Sequence, residues 1–176
     1  MILETERLIL REMQPSDAED MLCLHSNPHV QQYTGETTIV TIQRIQEKIE
    51  EKTKEYRDYG YGRWVTILKE GMQFVGWAGL SYLPEFDEVD LGYRFLPEFW
   101  GKGLATEVSR AILKYGFDAL QLKRIIAMAM EENRASIRVM QKVGMQFEKL
   151  APYEPGSIDV VWYFMDQNSY QRSGVR

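Results

Sequence analysis

The stretch Phe99-Trp100-Gly101-Lys102-Gly103-Leu104-Ala105-Thr106-Glu107 decides how the rest of the chain is arranged. An alternating apolar pattern ends just before it, and apolar residues at helical spacing begin at Leu104. A glycine-rich turn between a strand and a helix leaves backbone N–H groups unpaired at the positive end of the helix dipole. Such a turn is a ready site for phosphate. The stretch therefore predicts a phosphate-bearing ligand, with a purely structural glycine turn as the alternative.

Two common nucleotide-binding motifs do not fit this turn. The dinucleotide fingerprint needs a third glycine in the helix, where this chain has Thr106. A P-loop needs Lys followed by Ser or Thr, whereas Lys102 is followed by Gly103. The turn therefore belongs to neither of these two classes.

Length and composition indicate one domain that spans residues 1–176. The chain has 21 Lys and Arg against 26 Asp and Glu, a net charge of −5, so sequence-independent binding to nucleic acid is not expected. No apolar run approaches the roughly 20 residues of a membrane span, so no membrane partner is expected. Cys23 is the only cysteine and no secretory signal is visible, which favours a cytoplasmic protein.

The hydrophobic periodicity predicts a mixed α/β chain with about seven strands and about four helices. The predicted strands lie near 8–10, 63–69, 73–83, 88–96, 124–130, 147–150 and 158–165. The predicted helices lie near 16–27, 41–59, 104–120 and 133–144. The strand near 124–130 looks buried on both faces, which favours a parallel pairing with 88–96 through a helical crossover, while the earlier strands form an antiparallel meander.

The glycine-rich turn resembles the pyrophosphate loop of the GNAT superfamily of N-acetyltransferases. That loop has the form Gln/Arg-x-x-Gly-x-Gly/Ala, and here Gly103 and Ala105 match while Trp100 departs from the first place. The form Trp-Gly-Lys-Gly is similar to the ribosomal-protein N-acetyltransferase (RimJ/RimL-like) branch. A second segment, Asn133 to Met145, resembles the family's other cofactor segment, and the predicted element order matches the GNAT fold over nearly the whole chain.

The resemblance implies that acetyl-coenzyme A is the cosubstrate. In the family the strand before the loop splays from its parallel neighbour and pairs with the pantetheine amides, and an Asn before a short helix contacts the same arm. The residues implied to bind the cofactor are Phe95, Leu96, Trp100, Gly101, Lys102, Gly103, Leu104, Ala105, Thr106, Asn133 and Ser136. As plain helix termini, Asn133 would be an N-cap and Gly144 a C-cap, and both roles can coexist with cofactor binding.

Two carboxylates on one face of the strand near 88–96 are candidates for the base that deprotonates an amine acceptor. Asp90 is preferred over Glu88 because it lies nearer the cofactor end, and the alternative for each is a solvent-facing strand charge. Many family members protonate the leaving thiolate with a tyrosine seven residues after the Asn, and here that place is Met140. Water or another residue must then supply the proton.

Cys23 lies in a helical pattern whose apolar spacing predicts a small buried side chain, so direct attack by the amine is expected, without an acetyl-enzyme intermediate. A metal site at His25 and His29 is not expected, because Pro28 interrupts the helix between them. The acceptor is a protein or peptide N-terminus or a small-molecule amine. A non-catalytic acyl-coenzyme A binding or sensing domain is the alternative, and the chain is expected to be a monomer or a homodimer.

Overall fold

The structure, a computed structural model, describes residues 2–35, 38–39 and 41–173 and is organised around one eight-stranded sheet. Its strands are β1 (Leu3–Glu4), β2 (Leu8–Arg11), β3 (Arg63–Leu68), β4 (Gln73–Leu83), β5 (Glu88–Phe95), β6 (Arg124–Met130), β7 (Gln146–Pro152) and β8 (Asp159–Asp166). Their order in space is β1-β2-β3-β4-β5-β6-β8-β7. The pair β5 and β6 is parallel and the pairs from β2 to β5 are antiparallel, as the sequence predicts. The pairs β1–β2, β6–β8 and β8–β7 are antiparallel as well.

The sheet has one strand more than the seven predicted from the sequence. The additional strand is β1, which pairs with β2 through Leu3 opposite Leu10 and Glu4 opposite Ile9. Two residues are too few to show the alternation on which strand prediction depends. The prediction of the other seven strands is confirmed.

Six α-helices accompany the sheet in the described residues, two more than predicted. They are α1 (Ala18–Ser26), α2 (Pro28–Gln31), α3 (Ile42–Tyr59), α4 (Leu104–Lys114), α5 (Arg134–Lys142) and α6 (Gln167–Ser173). The unexpected ones, α2 and α6, are only four and seven residues long, too short for a clear apolar stripe. In the described part of the chain, no helix has the length and apolar character needed to cross a membrane.

The helices lie on the two faces of the sheet. Helix α4 covers one face: its extension places Tyr115 against Trp64, with ring centroids 5.7 Å apart. Helix α3 covers the other face, where the Ser81 hydroxyl donates to a Glu55 carboxylate oxygen at 3.4 Å. Because neighbouring side chains on a strand alternate between faces, the residues of β5 also divide between the two helical layers.

The parallel pair β5 and β6 separates soon after it begins. Its only bridge in the described residues joins Asp90 to Ile126, although β5 continues to Phe95 and β6 to Met130. Strand β5 meanwhile stays paired with β4 as far as Phe95 opposite Gly76. The two strands therefore form a wedge-shaped gap that opens from Asp90 towards the glycine-rich turn, and we call the Asp90–Ile126 bridge the vertex of this gap.

Candidate active site

The glycine-rich turn has the backbone geometry that an anion site needs. Gly101 and Gly103 have φ values of +73° and +78°, in the left-handed region that favours glycine. Gly103 is the N-cap of α4, where no side chain caps the helix end. The N–H groups of the first turn, including those of Leu104 and Ala105, therefore stay available to a ligand. The turn fits a phosphate, as predicted.

Trp100 connects this turn to the end of β5. Its indole Nε1 donates to the carbonyl oxygen of Phe95 at 2.7 Å, while 49 % of the residue remains exposed. Lys102 Nζ lies 5.6 Å from the centroid of the Phe99 ring, which leaves a positive charge beside the turn. Of the other predicted cofactor residues here, Leu104 is buried and Ala105 and Thr106 are half-buried. The prediction that the whole turn contacts the cofactor stays a prediction.

The backbone of β5 faces the gap at alternate residues. Leu96 donates its N–H to the Val75 carbonyl at 2.9 Å, so its N–H is not free to bind pantetheine. Because an antiparallel ladder alternates its direction residue by residue, the backbone groups of Phe95 and Tyr93 point the other way, towards β6. The predicted roles of Phe95 and Leu96 in cofactor binding stay predictions; Tyr93, which the sequence did not indicate, also has its backbone directed towards the gap.

Asn133 and Ser136 lie at the start of α5. The Asn133 side-chain oxygen accepts from the Ser136 N–H at 3.1 Å and so caps the helix. The Ser136 hydroxyl in turn accepts a hydrogen bond from Tyr93 Oη at 3.1 Å. Burial raises the pKa of Tyr93, and the bond to Ser136 opposes that rise only in part, so the phenol is protonated at neutral pH. Met140 is buried and offers no acid.

Asp90 lies at the vertex and is held by a buried arginine. One of its carboxylate oxygens, Oδ2, forms an ion pair with Arg63 Nη2, and its backbone carbonyl accepts from Arg63 Nη1 at 3.2 Å. Nη1 also donates to the Gly79 carbonyl. The other oxygen, Oδ1, accepts no hydrogen bond within the described residues, and the side chain keeps 13 % of its surface exposed. The expected alternative of a solvent-facing charge is therefore wrong for Asp90.

The Arg63 side chain reaches Asp90 by lying across Gly79 and Gly92, which have no side chains. Arg63, Gly79 and Gly92 are opposite one another on β3, β4 and β5. A Cβ at Gly92 would lie 2.8 Å from Nη1 and 2.9 Å from both Cζ and Nη2 of Arg63. The guanidinium thus lies over the place that any larger residue at position 92 would fill.

A second arginine extends this polar face towards the open end of the gap. The Cζ atoms of Arg63 and Arg94 lie 5.3 Å and 5.2 Å from the Trp77 ring centroid. Arg94 Nη1 is 3.2 Å from Nδ1 of the buried His25, on α1. This face, beneath α1 and α3, is the side of the sheet on which Asp90 lies, and sequence alone gave no signal that these four side chains meet.

Two further predictions, for Glu88 and Cys23, have clear outcomes in the structure. Glu88 is half-buried and its carboxylate accepts from Arg124 Nε at 2.7 Å, so it is not a free strand charge either. Cys23 is exposed on α1, so the prediction that it is buried is wrong. Its helix buries Met21 and Leu24, whereas Cys23 falls on the outer side of the same helix. The residues that the structure describes contain no group of three metal-binding side chains.

Comparison with known proteins identifies the same family. The Acetyltransferase (GNAT) domain matches residues 7–146, well over half of the chain. A curated relative, the uncharacterized N-acetyltransferase YoaA of Bacillus subtilis (strain 168), is 34 % identical over 148 residues, which cover 84 % of each protein.

Solved structures share the fold. A GNAT-family acetyltransferase from Bacillus anthracis has a TM-score of 0.81 and 28 % identity, and the match covers 96 % of this chain and 99 % of that one. Spermidine N-acetyltransferase from Vibrio cholerae, solved with CoA and spermine, has a TM-score of 0.76 and 23 % identity, covering 94 % and 98 %. With a strand gap and a phosphate turn placed as described, the chain belongs to the GNAT acetyltransferase family and is an acetyl-coenzyme A-dependent N-acetyltransferase.

Proposed function

We propose that this enzyme acetylates a primary amine by direct attack within a ternary complex, with Asp90 as the base. The observation that carries the proposal is the position of Asp90 at the vertex, where the gap between β5 and β6 closes. A cosubstrate that lies along the gap with its phosphates at the turn has its far end at this vertex. The amine then approaches from the face beneath α1 and α3, where Asp90 Oδ1 has no hydrogen-bond partner among the described residues.

The residues present fit acetyl-coenzyme A. The N–H groups at the start of α4 offer donors to the diphosphate, and the Phe95 N–H and the Tyr93 backbone offer strand-like pairing to the amides of the arm. Asn133, besides capping α5, lies beside this strand through the Ser136–Tyr93 contact. When bound, the cosubstrate supplies an acetyl group activated as a thioester, and the protein's part is to orient it and to manage protons.

The setting of Asp90 favours an acceptor that is easily deprotonated. An α-amine with a pKa of about 7.7 to 8.0 needs about 1 kcal/mol to lose its proton at pH 7, whereas a lysine-like amine near 10.4 needs about 4.6 kcal/mol. Carboxylates in general are weak bases, with an ordinary Asp pKa of about 3.9, and the Asp90 carboxylate is paired with Arg63. A peptide or protein α-amine is therefore the acceptor class we propose, in keeping with the Trp-Gly-Lys-Gly turn of the ribosomal-protein branch.

The proton for the leaving thiolate comes, in this proposal, from the Tyr93 and Ser136 hydroxyls. They are hydrogen-bonded to each other, and Tyr93 belongs to the part of β5 that borders the gap. The raised pKa of Tyr93 keeps a proton on the phenol. This pair takes the role that Met140 is unable to fill.

The test is turnover of acetyl-coenzyme A with a panel of amines: short peptides with free and with blocked N-termini, spermidine, and single amino acids. We expect the free-N-terminus peptides to react fastest. Preference for spermidine would contradict the α-amine proposal, and tight cofactor binding without turnover of any amine would contradict catalysis itself.

The role of Asp90 is tested by Asp90→Asn with Glu88→Gln as the matched comparison. Asp90→Asn should react more slowly at pH 7 and recover part of its rate as pH rises, because solvent then supplies the neutral amine. Glu88→Gln should keep the wild-type pH profile, since Glu88 is bound to Arg124 on the other side of the vertex from the open gap. The reverse pattern would assign the base to Glu88.

A further inference from the structure

The Glu107 carboxylate, in the first turn of α4, forms hydrogen bonds with residues far away in the sequence. Glu107 Oε1 accepts from the Thr5 hydroxyl at 2.5 Å and from the Arg7 N–H at 2.9 Å, and Oε2 accepts from Arg7 Nε at 2.7 Å. Thr5 and Arg7 belong to the turn between β1 and β2, about a hundred residues earlier in the chain. The β1–β2 turn and the start of α4 therefore form one hydrogen-bonded unit.

Arg7 also binds the backbone of the glycine-rich turn itself. Its Nη1 donates to the Lys102 carbonyl at 2.9 Å. In a trans peptide the carbonyl and the following N–H point in opposite directions, so this bond fixes the direction of the Gly103 N–H. Nη2 lies 3.6 Å from the place that a Cβ at Gly103 would take. Glycine at positive φ has wide backbone freedom, and Arg7 removes that freedom at Gly103.

Arg7 has an electrostatic effect at the same place. Glu107 is a carboxylate in the first turn of the helix whose N-terminus is proposed to bind a diphosphate. An unbalanced negative charge there would repel the ligand. The guanidinium of Arg7, bonded to both Glu107 and Lys102, places a positive charge between the carboxylate and the turn.

We propose that Arg7 is a positioning residue for the diphosphate of acetyl-coenzyme A: it holds the Lys102–Gly103 peptide in the orientation that binds phosphate and balances the charge of Glu107. This inference rests on the proposed placement of the diphosphate at the glycine-rich turn. It assigns a function to the first strand pair, which lies at one end of the sheet order, with β3, β4 and β5 between it and β6.

The competing explanation is that Arg7 only stabilises the β1–β2 turn. Lys69 provides a matched control, because it supports the same turn without touching α4 or the glycine-rich turn. Its Nζ donates to the Thr5 carbonyl at 2.6 Å and pairs with Glu4 Oε1 at 2.6 Å, and its N–H donates to the Arg7 carbonyl at 2.9 Å. Lys69→Met should loosen the β1–β2 turn as Arg7→Met does.

The experiment measures binding by calorimetry with two probes, acetyl-coenzyme A and acetyl-pantetheine, the second of which lacks the diphosphate. Arg7→Met should weaken acetyl-coenzyme A binding about tenfold, equivalent to one charge-assisted hydrogen bond, and leave acetyl-pantetheine binding unchanged. Lys69→Met should change neither affinity. Arg7→Lys keeps the charge but not the fork of donors, so it should lose less affinity for acetyl-coenzyme A than Arg7→Met does. It serves as the test variant if Arg7→Met does not fold.

Three results would overturn the inference. The first is wild-type affinity of both Arg7→Met and Arg7→Lys for acetyl-coenzyme A. The second is an equal loss of affinity of Arg7→Met for acetyl-coenzyme A and acetyl-pantetheine, and the third is a loss of acetyl-coenzyme A affinity in Lys69→Met equal to that in Arg7→Met. Gly103→Glu separates this failure from failure of the underlying placement. If Gly103→Glu binds acetyl-coenzyme A normally, the diphosphate does not lie at this turn. If Gly103→Glu abolishes binding while Arg7→Met behaves as wild type, only the role of Arg7 is refuted.

Discussion

Replacing Gly92 by Ala tests whether the Arg63–Asp90 pair depends on an empty position in β5. The added Cβ would lie 2.8 to 2.9 Å from three atoms of the Arg63 guanidinium, closer than a Cβ carbon approaches other heavy atoms. The backbone at Gly92 does not have positive φ, so alanine itself adopts this conformation without strain. The guanidinium must therefore move, and its bonds to Gly79 and Asp90 are lost or lengthened.

The magnitude follows from the burial of the pair. Breaking a buried ion pair by removing one partner costs about 3 to 5 kcal/mol. Arg63 is displaced and not removed, and Asp90 keeps some contact with solvent, so we expect Gly92→Ala to lower the free energy of unfolding by about 2 to 3 kcal/mol. In an Arg63→Met background nothing is left to displace. There the same substitution should stabilise by about 0.5 to 1 kcal/mol, because alanine loses less conformational entropy than glycine in a strand.

Urea unfolding of wild type, Gly92→Ala, Arg63→Met and the double variant gives the coupling energy between positions 63 and 92 directly. We expect the effect of Gly92→Ala on the free energy of unfolding to change sign between the two backgrounds. We also expect a lower acetylation rate for Gly92→Ala, since Asp90 loses its hydrogen bonds to Arg63. Equal effects of Gly92→Ala with and without Arg63 would refute the claim that the guanidinium occupies this position.

Three other predictions concern the cofactor turn, the route of the acetyl group and pH. Acetyl-coenzyme A at a hundredfold excess over its dissociation constant should raise the free energy of unfolding by about 2.7 kcal/mol, seen as a thermal shift. Gly103→Glu should lose that shift while Gly103→Ala, with the same backbone strain but no carboxylate, keeps part of it; normal binding by Gly103→Glu would refute the placement. Cys23→Ala should keep most activity, and initial-rate lines at several fixed amine concentrations should intersect; parallel lines with an inactive variant would indicate an acetyl-enzyme. Burial alone would raise the pKa of Glu107, but the Thr5 hydroxyl and Arg7 outweigh it and lower the pKa. The stabilisation is therefore present above the unfolded pKa of about 4.3 and is lost as pH falls through the lower folded value, so wild type and Glu107→Gln should converge in stability on acidification; a constant difference from pH 6 to pH 3 would contradict this.

The fold could be predicted from the sequence where elements are long and periodic. The predicted strand at 73–83 coincides with β4, and the helix predicted from about 41 to 59 begins with the Thr41 N-cap, whose hydroxyl accepts from the Arg44 N–H. The short elements β1, α2 and α6 were not predicted, because two to seven residues give too little periodicity. The prediction for Cys23 failed because it used only membership of the helix, whereas the helical spacing places Cys23 outside the side that Met21 and Leu24 bury.

The glycine-rich turn before α4 could be predicted because its signals are local: glycines, a helix start and a lysine lie within a few residues. The polar face at the vertex could not, because its partners come from separate strands. Arg63 and Asp90 are 27 residues apart in sequence, and their contact depends on the register that sets Arg63 opposite Gly79 and Gly79 opposite Gly92. The sequence placed Asp90 on a polar face and left a solvent-facing charge open as the alternative, whereas helices cover that face and Asp90 is buried.

The length of β5 explains why the turn and the vertex can serve one ligand. From Asp90 to Phe95 the strand advances five residues, about 17 Å at the rise of an antiparallel strand. That is the scale of the extended arm that separates the diphosphate of coenzyme A from its sulfur. Trp100 fixes the upper end of this span by its bond to the Phe95 carbonyl, and the Asp90–Ile126 bridge fixes the lower end. With the diphosphate at the turn and the acetyl group at the vertex, as proposed, β5 sets the distance between them. A change in the length of β5 would then separate phosphate binding from acetyl transfer even if every site residue were kept.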